Sequence, residues 1–346
     1  MTIRTIPPRR QFLGSSAALA GAAALPAAFP TTLFAQARES FTFCTPFGFI
    51  ADFLEIMNAQ SGGHWRDAGL DSKLIGAQGT SPAIQQLVAG QAQMIRAASI
   101  DFMRAVAQQN LPLIAVSTIY QGSTFYVISP EDKPLRNAED MRGKTIGTVS
   151  VGGTTDLFID LMLNKVGIDK SAVKKEVVGN NPGALAFVRQ GRIDAFVAST
   201  GVVTALRAAN EKIHAWRTDR YAPMPSQCYV TTRDVAQKRP QLLVRALRGL
   251  KASVDQVIEG PVGPLIARAS KDFDIPGNRN INALTANMEA AKALYFSQGK
   301  PNLMRTVPAL WRDGADALAK AGLGDVTKLV DTLYTNQFID EALKRA

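Results

Sequence analysis

Histidine and cysteine are almost missing from this chain. Its 346 residues hold two of each: His64, His214, Cys44 and Cys228. The histidines show no HxxxH or HExxH spacing, which removes zinc sites built on those motifs. No GxSxG elbow occurs, so the familiar serine-hydrolase turn is excluded. Spacing does not decide whether Cys44 and Cys228 form a disulfide or stay as buried free thiols. Nothing in the pattern supports a Cys–His nucleophile pair, and neither a metal nor another cofactor is expected. A long apolar run is lacking too. The Ala/Gly stretch near the N-terminus is broken by Pro26 and Pro30, whereas a stable span wants ~20 strongly apolar residues. The formal net charge is +10, but the basic residues are scattered. Their densest groups, "SAVKK" and "VRALRGLK", suit solvated helix faces, and no basic stripe is interleaved with aromatics. Nucleic acid is therefore not an expected partner.

What is present starts with an export signal. Residues 1–37 carry charge only at Arg4, Arg9 and Arg10, then an Ala/Gly-rich core, then the small-x-small site "AQA" ending at Ala37. "RRQFLG" resembles a twin-arginine signal, with Pro8 and Gly14 departing from the usual flanks. No Cys follows the cleavage site, so a lipid anchor is not expected. The expectation is a protein exported to the periplasm and soluble there after cleavage.

From residue 38 the chain alternates short β-rich runs with helical patterns. Strands are expected at 41–45, 72–77, 93–98, 112–119, 124–129, 144–150, 174–179, 194–199 and 227–232. Amphipathic segments separate many of them, which predicts an α/β fold with largely parallel sheets. Beyond Pro240 the pattern is helical, with Leu243, Leu247 and Leu250 at spacings of four and three.

One repeat is visible. "AIQQLVAGQAQMIRAAS" (83–99) aligns without gaps on "ALAFVRQGRIDAFVAST" (184–200) at an offset of 101 residues. Ile84 matches Leu185, Leu87 matches Val188, and Gly90 matches Gly191. Each copy reads as a helix, a Gly cap and a buried strand ending in small hydroxyl residues. Ser81-Pro82 and Asn181-Pro182 look like capping starts. Two similar α/β halves are implied. The chain would cross between them near 123–129 and return near 226–232, giving lobe one as 38–125 with 230–346 and lobe two as 126–229.

The candidate chemistry lies at strand ends. In open α/β sheets ligands bind outside the carboxyl ends of the strands. The turns there offer backbone N–H groups beside hydroxyls and amides: Thr80 and Ser81, Ser99, Gly153, Thr154 and Thr155, Asn180 and Asn181, and Thr200. Phe47, Phe49 and Tyr120 could pack on a flat or apolar ligand body. Asp101, Asp156 and Asp160 sit near helix starts, where the macrodipole explains them. No Arg or Lys lies in these turns, so a nucleotide fits poorly. "IGTVSVGGTTDLFIDLML" (146–163) spaces Gly147 and Gly152 like a Walker loop, but Gly153 stands where that loop needs Lys. Leu157, Phe158, Leu161 and Met162 are expected to form the buried face of the following helix, with Gly167 capping its end.

Taken together, "GTSPAIQQLVAGQAQM", "MRGKTIGTVSVGGTT", "ALAFVRQGRIDAFVAS" and "LYTNQFIDEALK" resemble the periplasmic substrate-binding proteins of ABC importers. The nearest branch binds sulfonates, taurine, nitrate and thiamine-pyrimidine precursors (NMT1/THI5-like). The resemblance implies a type II Venus-flytrap fold, with two hinge strands and a helical C-terminal tail packed on lobe one. It implies a monomer that captures a small organic molecule between the lobes and delivers it to a permease and ATPase. An organic anion, such as a sulfonate or aromatic carboxylate, is the favoured ligand; a pyrimidine or other neutral heteroaromatic is the alternative. The alternative function is an exported enzyme of the same fold. Pyrimidine-forming relatives rely on a cysteine-rich cluster, which the separated Cys44 and Cys228 do not supply.

Overall fold

The β-branched and aromatic runs become two five-stranded sheets, seen in a computed structural model that describes residues 38–344. The expected export signal, residues 1–37, lies outside the described residues. The chain begins with β1 (Glu39–Thr45), α1 (Leu54–Ser61), α2 (His64–Asp67), β2 (Leu70–Gly76), α3 (Thr80–Val88), β3 (Met94–Ala98), α4 (Ser99–Gln109) and β4 (Leu113–Tyr120). It continues through β5 (Phe125–Pro130), β6 (Thr145–Thr148), α5 (Thr154–Lys165), β7 (Lys174–Val177), α6 (Ala184–Arg189), β8 (Ala195–Ser199), α7 (Thr200–Ala208) and β9 (Ile213–Arg217). After β10 (Gln227–Thr232) come only helices: α8 (Arg233–Lys238), α9 (Pro240–Glu259), α10 (Val262–Ala269), α11 (Ile281–Tyr295), α12 (Pro308–Lys320) and α13 (Gln337–Leu343).

Sheet one has the order β2-β1-β3-β10-β4, and sheet two the order β7-β6-β8-β5-β9. The expected, largely parallel sheets each carry one antiparallel strand. β10 runs antiparallel to β3 and β4, and β5 antiparallel to β8 and β9. The crossings explain this. β10 enters with Gln227 opposite Ala98, the last residue of β3, and β5 enters with Phe125 opposite Ser199, the last residue of β8. A strand that arrives from the other sheet begins where its neighbours end, so it must run the other way. The expected boundaries at 125/126 and 229/230 fall inside β5 and β10. β9 was not anticipated; its run "IHAWR" is half-buried and lacks apolar alternation.

Side chains along sheet one alternate between two cores. Phe43 of β1, Met94 of β3 and Tyr229 of β10 face the cluster under α1, α2 and α9, while Cys44, Ile95 and Cys228 face α3, α4 and α12. The C-terminal helices therefore cover both faces of sheet one. Sheet two does the same on a smaller scale, with Val127 and Val197 on one side and Ile128 and Phe196 on the other. Cys44 and Cys228 are buried and free, with β3 between their strands. Burial pushes Cys44 up to about 11 and raises Cys228 further, which suits inert core thiols.

The repeat is a structural one. β3 pairs parallel with β1 as β8 does with β6, and Gly90 and Gly191 both turn with left-handed φ, 74° and 69°. The expected caps are different. α3 starts two residues earlier, at Thr80 with Gly79 at its cap, and α6 starts at Ala184 after Gly183; neither has a side-chain cap.

Candidate functional site

A cavity of about 540 Å³ opens where strand ends of the two sheets face each other. Sheet one contributes Phe47 after β1, the Gln78–Pro82 turn into α3, and Asp101 and Arg104 of α4. The other wall is the Val149–Thr155 turn into α5, with Phe125 and Asn180. The first turns of α3 and α5, where backbone N–H groups lack an intrahelical acceptor, both line this space. Phe47 and Val151 are 51% and 83% exposed, an apolar rim large enough to cover part of a ligand.

The turn into α5 is built tightly. Gly152 adopts φ 65°, and its N–H donates to Asp156 Oδ2 at 2.6 Å. Lys175 lies 2.6 Å from the same carboxylate. The Thr155 hydroxyl accepts the Val149 N–H at 2.9 Å and bonds Thr148 Oγ1 at 2.7 Å, so it holds the turn itself. The Thr154 hydroxyl instead crosses the cleft to Asp101 Oδ2 at 2.7 Å. Farther along α5, Asn164 donates to Lys320 O of α12 at 3.0 Å. Leu157, Phe158, Leu161 and Met162 are buried as expected, and the first three join the sheet-one cluster. Gly167, with φ 68°, closes the helix. Gly147 has a packing role: a Cβ there would lie 2.7 Å from Phe196 Cβ.

The cavity gathers Phe47, Thr80, Ser81, Gly153, Thr154, Thr155 and Asn180 from the sequence candidates. Five others lie elsewhere. Phe49 packs on Phe273, ring centroids 4.9 Å apart, in the core. Tyr120 is buried against Tyr295 and beneath the Arg96 guanidinium, and burial raises its hydroxyl to about 12. Ser99 donates to Pro225 O, and Thr200 donates to Thr124 O at 3.1 Å. These two repeat equivalents fasten the incoming crossings instead of facing the cavity. Asn181 is exposed and does not line the cavity; its neighbour Asn180 bonds both the N–H and the hydroxyl of Ser199.

Asp101 and Arg104 were not among the candidates. Arg104 lies inside α4, beyond the strand-end turn at Ser99, and the helix dipole accounts for Asp101 without a ligand. Asp101 is 6% exposed, with Arg104 3.7 Å away; burial pushes its carboxyl above the ordinary value of 3.8, partly offset by Thr154 and Arg104. Among the described residues no cluster of His, Cys, Asp and Glu is arranged to hold a metal.

The NMT1/THI5-like family model matches residues 50–263, which hold β2 to β10 and the cavity residues other than Phe47. The chain belongs to this family. No curated protein matches the sequence. Among solved structures, the periplasmic aliphatic sulphonate binding protein SsuA from Escherichia coli is similar, with TM-score 0.65 and 15% identity over 83% of this chain and 88% of that one. The alkanesulfonate-binding SsuA from Xanthomonas axonopodis pv. citri gives 0.64 and 13%, covering 86% and 98%. The periplasmic nitrate-binding protein NrtA from Synechocystis PCC 6803 gives 0.60 and 12%, covering 88% of each. At these identities the likeness is one of fold, and the fold is that of the periplasmic binding proteins.

Proposed function

We propose that this NMT1/THI5-like protein is the solute-binding component of an ABC-type importer. It captures a small organic molecule in the cavity and delivers it to a permease and its ATPase. The observation that carries this reading is the cavity itself, with walls drawn from strand ends on both sides of two chain crossings. Residues 38–125 and 230–346 form lobe one and 126–229 lobe two, with β5 and β10 as hinge strands. Phe47, Thr80, Ser81, Gly153, Thr154, Thr155 and Asn180 touch the ligand. The protein works as a monomer in the periplasm, after loss of residues 1–37, and carries out no reaction of its own. The buried Cys44 and Cys228 thiols support a binding role over nucleophilic chemistry. No helix among the described residues is long and apolar enough to cross a membrane.

A thermal-shift screen of sulfonates, aromatic carboxylates, pyrimidines and flavins tests the reading. A true ligand at 100 times its dissociation constant adds ~2.7 kcal/mol of stability. Thr154→Ala combined with Thr155→Ala weakens its binding; unchanged affinity would place the ligand elsewhere. Turnover of a compound without a stable complex would favour the enzyme reading.

A further inference from the structure

Two charged side chains line the cavity, Asp101 and Arg104, both on α4. Asp101 is almost fully buried, and its Oδ2 accepts the Thr154 hydroxyl at 2.7 Å from across the cleft. Thr80, in the first turn of α3, lines the same cavity. Arg104 approaches Oδ1 only to 3.7 Å, an ion pair too long for a hydrogen bond. One carboxylate thus stands between the two helix starts that face the cavity. It occupies the place an anionic ligand would seek and draws the Thr154 hydroxyl from the start of α5.

We infer that Asp101 makes this cleft select a ligand bearing a hydrogen-bond-donating nitrogen and reject one that brings an acid group to the same point. The inference rests on the solute-binding reading above. An ionised carboxylate only accepts hydrogen bonds. A ligand N–H, neutral or cationic, makes a short charge-assisted bond with it. A carboxylate or sulfonate has no proton to offer and meets like charge where little water screens it. Arg104 lies on the Oδ1 side, 3.7 Å away, and leaves Oδ2 to the donors in the cleft. Phe47, Phe125 and Val151 provide apolar surface for the ligand body.

Titration calorimetry with matched probes tests this on the purified protein: benzamidine and 4-aminopyridine as donors, benzoate and benzenesulfonate as acids. The wild type binds the donors. Asp101→Asn weakens them about tenfold or more and strengthens the acids. That opposite movement separates selection from a merely structural role, because a loosened cleft would weaken both classes. Acids binding the wild type better than donors, with the same order in Asp101→Asn, overturns the inference. The solute-binding reading then survives if Phe47→Ala weakens those acids. Binding of no probe also overturns the inference, while the reading above stands or falls by its own screen.

Discussion

Sheet one and sheet two share a strand order and a crossing pattern, yet they differ in what they bring to the cleft. The positions that agree serve the chain path. Gly90 and Gly191 turn each helix into its strand, and Ser99 and Thr200 each tie the next helix to the incoming crossing. The positions that disagree carry charge. At the offset of 101, Arg96 answers to Val197, Asp101 to Val202 and Arg104 to Ala205. Sheet one can hold these charges because the C-terminal helices deepen its core, whereas edge strands β7 and β9 of sheet two remain partly exposed. The comparison teaches that a repeated frame serves the chain path in both copies, while at these three positions the charge lies in one copy alone.

The largest expected break in this comparison is at Arg96. Its guanidinium lies 2.5 Å from Glu55, between the Phe53 and Tyr120 rings, each 4.7 Å away. Arg96→Ala strands a buried carboxylate and costs about 3–5 kcal/mol in urea unfolding. Val197→Ala, at the matching place, costs about 2 kcal/mol. Equal losses would show that the two copies are stabilised alike.

A smaller effect is expected at a pair related by register. Cys44 pairs with Ile95, and Gly147 pairs with Phe196, its repeat equivalent. The larger Phe196, with Val178, fills the space a side chain would need at Gly147. Gly147→Ala therefore destabilises by about 1–3 kcal/mol through overpacking. Cys44→Ala only shortens a buried side chain and costs about 1 kcal/mol. Chemical denaturation of the two variants measures the difference.

The smallest effect concerns pH. Burial raises the Asp101 carboxyl above its ordinary value, so the folded chain holds that proton more tightly than the unfolded chain. Its stabilising contribution is full below the ordinary carboxyl range and is lost as pH rises through the raised folded value. Asp101→Asn removes this share, and Val202 in sheet two has none to remove. Urea midpoints across that range should therefore fall less steeply with pH in Asp101→Asn than in the wild type. Asp52, raised by burial against Arg96 and Asn287, keeps a residual slope in both proteins.

Much of the frame was legible. Nine strands, the repeat, the long amphipathic α9 and the buried face of α5 follow from apolar periodicity, because burial is what that periodicity records. The cavity turns were legible in part, since strand ends in α/β sheets are where ligands reach backbone N–H groups. Ser99 and Thr200 lie off the cavity because a hydroxyl at a strand end can serve a crossing as readily as a ligand, and Tyr120 because its ring fills the core. Asp101 and Arg104 went unread because a carboxylate in a first turn already has a local explanation in the helix dipole.

The sequence by itself determined which segments are strands and helices, that the halves repeat, and that Gly153 excludes a Walker loop, because these depend on local spacing and residue type. Only the tertiary structure decided the rest. The antiparallel entry of β5 and β10, the fastening of both crossings by Ser99 and Thr200, and the meeting of Asp101 with Thr154 all join residues far apart in the chain. Such contacts exist only after two sheets face one another, and no local pattern encodes which hydroxyl will meet which carboxylate.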